Sequence, residues 1–169
     1  MFYLKSDRLV LRNLNNNDLS FLMALRADPS AARYQRWEDS SRENIQSMID
    51  EHRRDVLLSD KEIQRFMIAL PDTTPLGTLV LFVTPKEGCI TVGITLAAEH
   101  RRKGYAREIL SLLNAKAAET YPALELVALI HPDNAPSICL FESVGFRFDL
   151  YAESIHSLVY ILPLADPHA

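Results

Sequence analysis

The apolar residues of this chain change period several times, and each change marks an element. Val92, Ile94 and Leu96 alternate with Gly93 and Thr95, the two-residue period of a strand. After Gly104, the apolar residues Ala106, Ile109, Leu110, Leu113 and Ala117 recur at helical spacing and predict a long helix. Upstream, Leu9 and Leu11 alternate with Arg8, Val10 and Arg12, which predicts a first strand over 8–12. Asn15, Asn16 and Asn17 form a turn that offers N-cap oxygens to a helix over 18–27, stopped by Pro29. Ser40 and Glu43 have the spacing of a capping box. The helix it opens is expected to run to about Leu58, burying Ile45, Met48, Ile49 and Val56. His52 shares that stripe and reads as a boundary residue rather than a catalytic one.

Strands are predicted over 66–70 and 76–84, the second apolar enough to be covered on both faces. The turn 85–88 leads into the strand that ends at Leu96. Pro122 breaks the long helix, and a further buried strand follows over 124–130. A short helix containing Ile138, Phe141 and Val144 is closed by Gly145, and two strands over 146–151 and 157–162 complete the pattern. The order β-α-α-β-β-β-α-β-α-β-β predicts one domain over 1–169, with mixed α/β architecture and an antiparallel run leading into strand–helix–strand units. The tail 165–169 is expected to be disordered.

Composition changes this picture little. The 169 residues are 48% hydrophobic and 24% charged, an ordinary globular balance. A formal net charge of -4 and no long basic stripe argue against a nucleic-acid binder. The same charge slightly favours a cationic substrate, but it is too small to decide the matter. Cys89 and Cys139 have no metal-like spacing and read as buried free thiols. Neither a signal peptide nor a membrane-length apolar run is visible, so a cytoplasmic protein without membrane partners is expected.

The chemistry concentrates at the turn Arg101-Arg102-Lys103-Gly104, which joins a strand to a helix start. Unpaired N–H groups, the positive end of a helix dipole and three cations converge there, which suits a phosphate or pyrophosphate. An ordinary solvated basic turn is about as common. The turn lacks the Gly-Lys-Ser/Thr of a P-loop and is not Gly-x-Gly-x-x-Gly.

Arg101-Arg102-Lys103-Gly104-Tyr105-Ala106 resembles the Arg/Gln-x-x-Gly-x-Gly/Ala signature of the GNAT family of N-acetyltransferases. Two further stretches carry the resemblance. Asn134-Ala135-Pro136-Ser137 with Gly145-Phe146 is similar to the family's Asn-x-x-Ser/Ala…Gly-Phe helix. Ser6-Asp7-Arg8-Leu9-Val10-Leu11-Arg12, with Asp18 opening the first helix, resembles the RimJ/RimL-type subgroup. The resemblance implies the GNAT fold, a mixed, mostly antiparallel twisted sheet with helices on both faces. It implies acetyl-CoA as cofactor and direct acetyl transfer to a protein N-terminal amine or a small-molecule amine, by a monomer or homodimer.

Residue by residue, it implies that backbone N–H groups of Arg102, Lys103, Gly104, Tyr105 and Ala106 hold the pyrophosphate, with Arg101 at the first signature position. The strand carrying Thr95 and Leu96 would splay from its neighbour, leaving their backbone groups for the pantetheine amides. An N–H of the Leu96 strand would stabilise the oxyanion. Asn134 would lie beside the pantetheine arm, with Ser137 near the thiol and Phe141 also on the cofactor side; as N-cap and first-turn residue, Asn134 and Ser137 also have ordinary helical roles. One departure stands out. Many relatives have a tyrosine acid where this chain has Phe141, which cannot donate a proton, so Ser137 is the expected substitute. Nor does the strand 92–96 carry the carboxylate that several relatives place there. Glu38, Asp133, Glu153 and His156 are open as candidates for the base, each equally readable as a surface residue. Tyr34 and Trp37 either line the acceptor pocket or cap the core. Two rival readings remain at this point: a non-catalytic acyl-CoA-binding module, and a nucleotide-phosphate binder that uses only the basic turn.

Overall fold

A computed structural model describes residues 1–37 and 39–165. Eight strands form one sheet in the order β1-β2-β3-β4-β5-β6-β8-β7. They are β1 (Phe2–Lys5), β2 (Val10–Asn13), β3 (Ile63–Ala69), β4 (Pro75–Thr84), β5 (Cys89–Leu96), β6 (Glu125–Ile130), β7 (Arg147–Ala152) and β8 (Ser157–Pro163). The helices are α1 (Leu19–Ala27), α2 (Pro29–Ala32), α3 (Arg42–His52), α4 (Tyr105–Thr120) and α5 (Ala135–Ser143). All neighbouring strands run antiparallel except β5 and β6, which the crossover helix α4 connects.

The sheet is covered on both faces because successive side chains point to opposite sides. Phe66 and Ile68 of β3 join Ile109, Leu113 and Phe141 in one buried cluster. Met67 and Ala69 face the other way and pack with Leu22 of α1 and with Ile45 and Ile49 of α3. The α4 stripe buries Ile109, Leu110, Leu113 and Ala117, as its spacing predicted. A Schellman turn closes α5: Phe146 N–H donates to the Phe141 carbonyl (3.0 Å) and Gly145 N–H to that of Glu142 (3.1 Å). Gly145 supplies the positive φ of 102° that this turn requires.

Five expectations need correction. Strand β1 was not anticipated, because Phe2–Lys5 has too few residues for a period to show. Helix α3 is capped by Ser41, whose hydroxyl accepts from Asn44 N–H, and not by a Ser40–Glu43 box. It ends at His52, and Val56 beyond it is 55% exposed. The chain turns there because the buried Asp55 carboxylate gathers His52 Nδ1 (2.7 Å), Lys61 Nζ (2.5 Å) and the Arg65 N–H (2.9 Å), which makes His52 structural. Strand β4 is buried along one face only, and its other face, with Thr78, Val80 and Phe82, lines a groove. The two thiols are free as expected but not buried, Cys89 being half-buried and Cys139 exposed.

A buried ion pair fixes the start of α1. Arg12 on β2 holds Asp18 through two hydrogen bonds of 2.9 and 2.8 Å. Its guanidinium also donates to the carbonyls of Asn13 (2.9 Å) and Thr73 (3.0 Å), while Asp18 accepts the Asn15 N–H. The motif Ser6–Arg12 therefore sets where the first helix begins.

Candidate active site

Strands β5 and β6 pair only from Cys89 to Thr91 against Glu125 to Val127, and beyond that they part. The opening is a V at the carboxyl end of both strands, bordered by the turn before α4 and by the start of α5. Backbone groups alternate sides along a strand, so only every second residue of β5 faces the V. Thr95 faces the other way: its carbonyl would lie 2.2 Å from a Cβ on Gly77 of β4. Ala97 N–H likewise bonds to the Leu76 carbonyl. The Thr95 backbone, expected to be free, is thus turned toward β4, whereas Leu96 faces the parted edge. Gly77 is required here because any side chain would collide with β5. The Leu96 carbonyl accepts Arg101 Nε (3.2 Å), which leaves its N–H for the V.

At the base of the V, residues 101–104 make a turn with two left-handed positions, Arg102 at φ 61° and Gly104 at φ 80°. Gly104 caps α4 without any side-chain cap. None of the N–H groups of Arg102, Lys103, Gly104, Tyr105 and Ala106 donates to a partner among the described residues. Such a row of unmet donors at a sixteen-residue helix is a concave anion site. Arg102, Lys103 and Gly104 are exposed around it. Arg101 points elsewhere and braces the turn, bonding the Leu96 carbonyl and Ser30 Oγ (3.1 Å).

Sequence reading missed the role of Arg8. Its guanidinium donates to the Lys103 carbonyl (2.9 Å), pairs with Glu108 (2.7 Å) and covers the Tyr105 ring at 4.8 Å. The first arginine of the N-terminal motif thereby clasps the turn from outside. Only the spacing of that motif hinted at it, and no local period could show a contact across 95 residues.

On the far side of the V, Asn134 caps α5 by accepting the Ser137 N–H (3.3 Å). The Asn134 amide nitrogen makes no bond among the described residues, and the Ser137 hydroxyl is half-buried. Phe141, expected on the cofactor side, is instead buried edge-on against Phe146 with ring centroids 5.0 Å apart. Alternation of the α5 face explains this, since Phe141 lies on the stripe that meets the core.

Of the base candidates, Glu38 lies outside the described residues. Asp133 and Glu153 are exposed, and Asp133 contributes its carbonyl rather than its carboxylate, accepting Tyr34 OH at 3.1 Å. His156 is drawn into a cluster of rings. It meets His131 edge-on at 4.9 Å and is hydrogen-bonded to Tyr151, while His131 stacks on Tyr34 at 4.9 Å. His131 Nδ1 accepts the Asp133 N–H (3.1 Å), which places its proton on Nε2. Neither His131 nor Tyr151 was singled out in the sequence. Arg36 bonds the Ile155 carbonyl and so ties the Tyr34–Trp37 loop to this cluster.

That loop closes a groove of about 240 Å³ over the second face of β3, β4 and β5. Trp37 lines it, as does Gln35, whose amide donates to Thr95 Oγ1 (3.1 Å). Tyr34 stands beside the groove, in the ring cluster, rather than in its wall. The groove thus reaches Thr95, the neighbour of Leu96, which faces the V.

The acetyltransferase (GNAT) domain family matches residues 8–147. The chain belongs to the GNAT acetyltransferase family. Its relatives include YoaA of Bacillus subtilis, described as an uncharacterized N-acetyltransferase, 28% identical over 147 residues, 85% of this chain and 82% of that protein. An acetyltransferase of the GNAT family from Bacillus anthracis superposes with a TM-score of 0.82 at 18% identity, covering 97% of this chain and 99% of that one. Spermidine N-acetyltransferase of Vibrio cholerae, solved with CoA and spermine, superposes at 0.72 with 19% identity, covering 92% and 94%. The last two likenesses show the fold. Membership carries the activity expected from the sequence: this GNAT domain is an acetyl-CoA-dependent N-acetyltransferase that acts on an amine.

Proposed function

We propose that the V between β5 and β6 is the acetyl-CoA site and that the groove delivers a primary amine to it at Thr95. The observation that carries this is the row of unmet N–H donors from Arg102 to Ala106 at the base of a parted strand pair. Bound there, acetyl-CoA supplies the activated acetyl thioester. The donors would hold its pyrophosphate, with Arg102 and Lys103 adding charge, Arg8 and Arg101 keeping the turn in shape, and Tyr105 stacked under Arg8. The Leu96 N–H would face the acetyl oxygen, and the Asn134 amide would reach the pantetheine arm.

An amine is mostly protonated at neutral pH and must lose a proton before it can attack. His156 is favoured as the acceptor of that proton, because among the described candidates it contributes an imidazole to the ring cluster beside the groove. Ser137 is favoured to protonate the leaving thiolate, being half-buried at the start of α5 on the thiol side. The Ser6–Arg12 motif supports placement in the RimJ/RimL-type subgroup.

The test is calorimetric titration with acetyl-CoA, followed by thiol release against a panel of amines and N-terminal peptides. Binding followed by release is expected; failure to bind would remove the V as the cofactor site. Ser137→Ala should lower turnover by less than the ~10²-fold typical of a strong acid, because a hydroxyl is a weak one. Its acetyl-CoA affinity should be unchanged, and unchanged turnover would take Ser137 out of the mechanism. His156→Ala should lower kcat by about tenfold, below the usual general-base range because water can take a proton at an exposed position. Full activity in that variant would exclude His156 as the base.

A further inference from the structure

The polar groups in the wall of the groove are strongly biased in sign. Arg26, Arg36 and Arg65 all line it, and no carboxylate among the described residues does. Arg36 is already spent on the Ile155 carbonyl. Neither of the other two guanidinium groups is in an ion pair among the described residues. Arg26 lies 5.3 Å over the Trp37 ring, contacts the Met48 sulfur (3.1 Å) and makes a long bond to the Asp39 carbonyl (3.5 Å). Arg65 makes no side-chain hydrogen bond or ion pair among the described residues, although Glu51 and Asp55 attract it from further away. Burial lowers the pKa of both, and for Arg26 the nearby Arg65 charge lowers it further. Two desolvated like charges side by side are unfavourable unless an anion joins them.

Much of the remaining wall is apolar, with Leu14, Leu22, Leu25, Phe66, Val80 and Ile94, and Gln35, Thr78 and Thr95 add only neutral polar groups. Sheet register sets the spacing between its two ends. Arg65 pairs with Val80, and Val80 with Gly93, so Arg65 is two strands across and two residues along from Thr95. With standard strand spacing and rise, that separates their Cα atoms by about 12 Å. A separation of this order suits an extended acceptor of roughly two to three residues, its ends met by side chains rising from the two strands.

We infer that the acceptor carries a carboxylate on an apolar body, held by Arg65 and Arg26 while its amine lies at Thr95. The inference rests on the acetyl-transfer reading and names the substrate class of that same site. Guanidinium groups suit the task because their planar fork matches a carboxylate with two parallel hydrogen bonds. The same charges would repel a polyamine, and the local field thereby outweighs the slight bias of a net charge of -4.

The test compares glycyl-leucine, glycyl-leucinamide and spermidine as acceptors for the full chain, read as thiol release from acetyl-CoA. Glycyl-leucine should show kcat/KM at least about tenfold above its amide, the gain from one charge-assisted bond pair. Arg65→Gln and Arg26→Gln should each erase that preference while leaving acetyl-CoA affinity and the circular dichroism spectrum unchanged. Two variants are used so that misfolding of one does not remove the test. Equal use of the dipeptide and its amide, or preference for spermidine, would overturn the inference and leave acetyl transfer intact. Retained preference in both variants would also overturn it, by showing that other groups read the carboxylate. Acetyl-CoA binding without thiol release from any of the three would instead count against both the substrate class and the transfer reading on which it rests.

Discussion

Gly104→Val should fold normally and bind acetyl-CoA roughly 10²–10³-fold more weakly than the wild-type chain. Gly104 sits at φ 80°, where a β-branched residue is strained by about 1–3 kcal/mol. A Cβ there would also meet Arg8 Nη2 at 3.3 Å, tight but relieved by movement of a flexible side-chain end. The larger effect comes from the backbone. To relieve φ, the turn would rotate the peptides on either side, and their N–H groups would no longer converge. Each charge-assisted bond to pyrophosphate is worth about 1.5–3 kcal/mol, so losing one strong or two weaker ones, about 3–4 kcal/mol, gives the stated range. Gly104→Ala should fall between the two, since it keeps the φ penalty without the second branch. Titration calorimetry, with circular dichroism as the control for folding, measures this directly. Wild-type affinity in a folded Gly104→Val protein would mean that the pyrophosphate binds elsewhere.

Removing the buried carboxylate of Asp18 should be strongly destabilising. Asp18→Ala leaves Arg12, itself buried, with a charge that only two carbonyls answer. Breaking a buried pair by deleting one partner typically costs about 3–5 kcal/mol, which for a chain of this size lowers Tm by on the order of 10 °C. The deletion also frees the Asn15 N–H and so loosens the turn that opens α1. Replacing both partners with apolar residues, Arg12→Met with Asp18→Leu, should be less damaging than either single change, because no orphaned charge remains. Thermal unfolding of the two single variants and the double variant makes the comparison. Additive losses across the three would show that the pair contributes nothing as a pair.

Since α1 and the loop after it wall the acceptor groove, this pair joins stability to function. Its effect on turnover would be indirect, through the position of Leu22, Leu25 and Arg26 in the groove wall.

Local pattern was enough for much of the architecture. The period change at Gly104 gave β5, the basic turn and α4 nearly to the residue, because strand and helix differ in period and glycine takes the positive φ at the helix start without strain. Asn134 at the head of α5 and the Gly145–Phe146 closure were equally readable, since caps act within a few residues. The errors fall where local signals tie. Two adjacent serines compete to cap α3, and Phe2–Lys5 is too short to show alternation. The parting of β5 from β6 was expected only through family resemblance. No spacing of residues encodes it, and the register shows it ending at Thr91 and Val127.

What the sequence determined by itself was the order of elements from β2 onward apart from the short α2, the family and the basic turn before α4, all of which depend on residues close together along the chain. Tertiary structure decided which side of β5 each backbone group faces, that Phe141 belongs to the core, and that Arg8 clasps a turn 95 residues away. It also set Arg26 beside Arg65 in the groove, giving a mildly acidic chain a cationic pocket. Those outcomes depend on sheet register and on which helix covers which face, and a one-residue shift of register would turn each strand residue, Arg65 among them, to the opposite face.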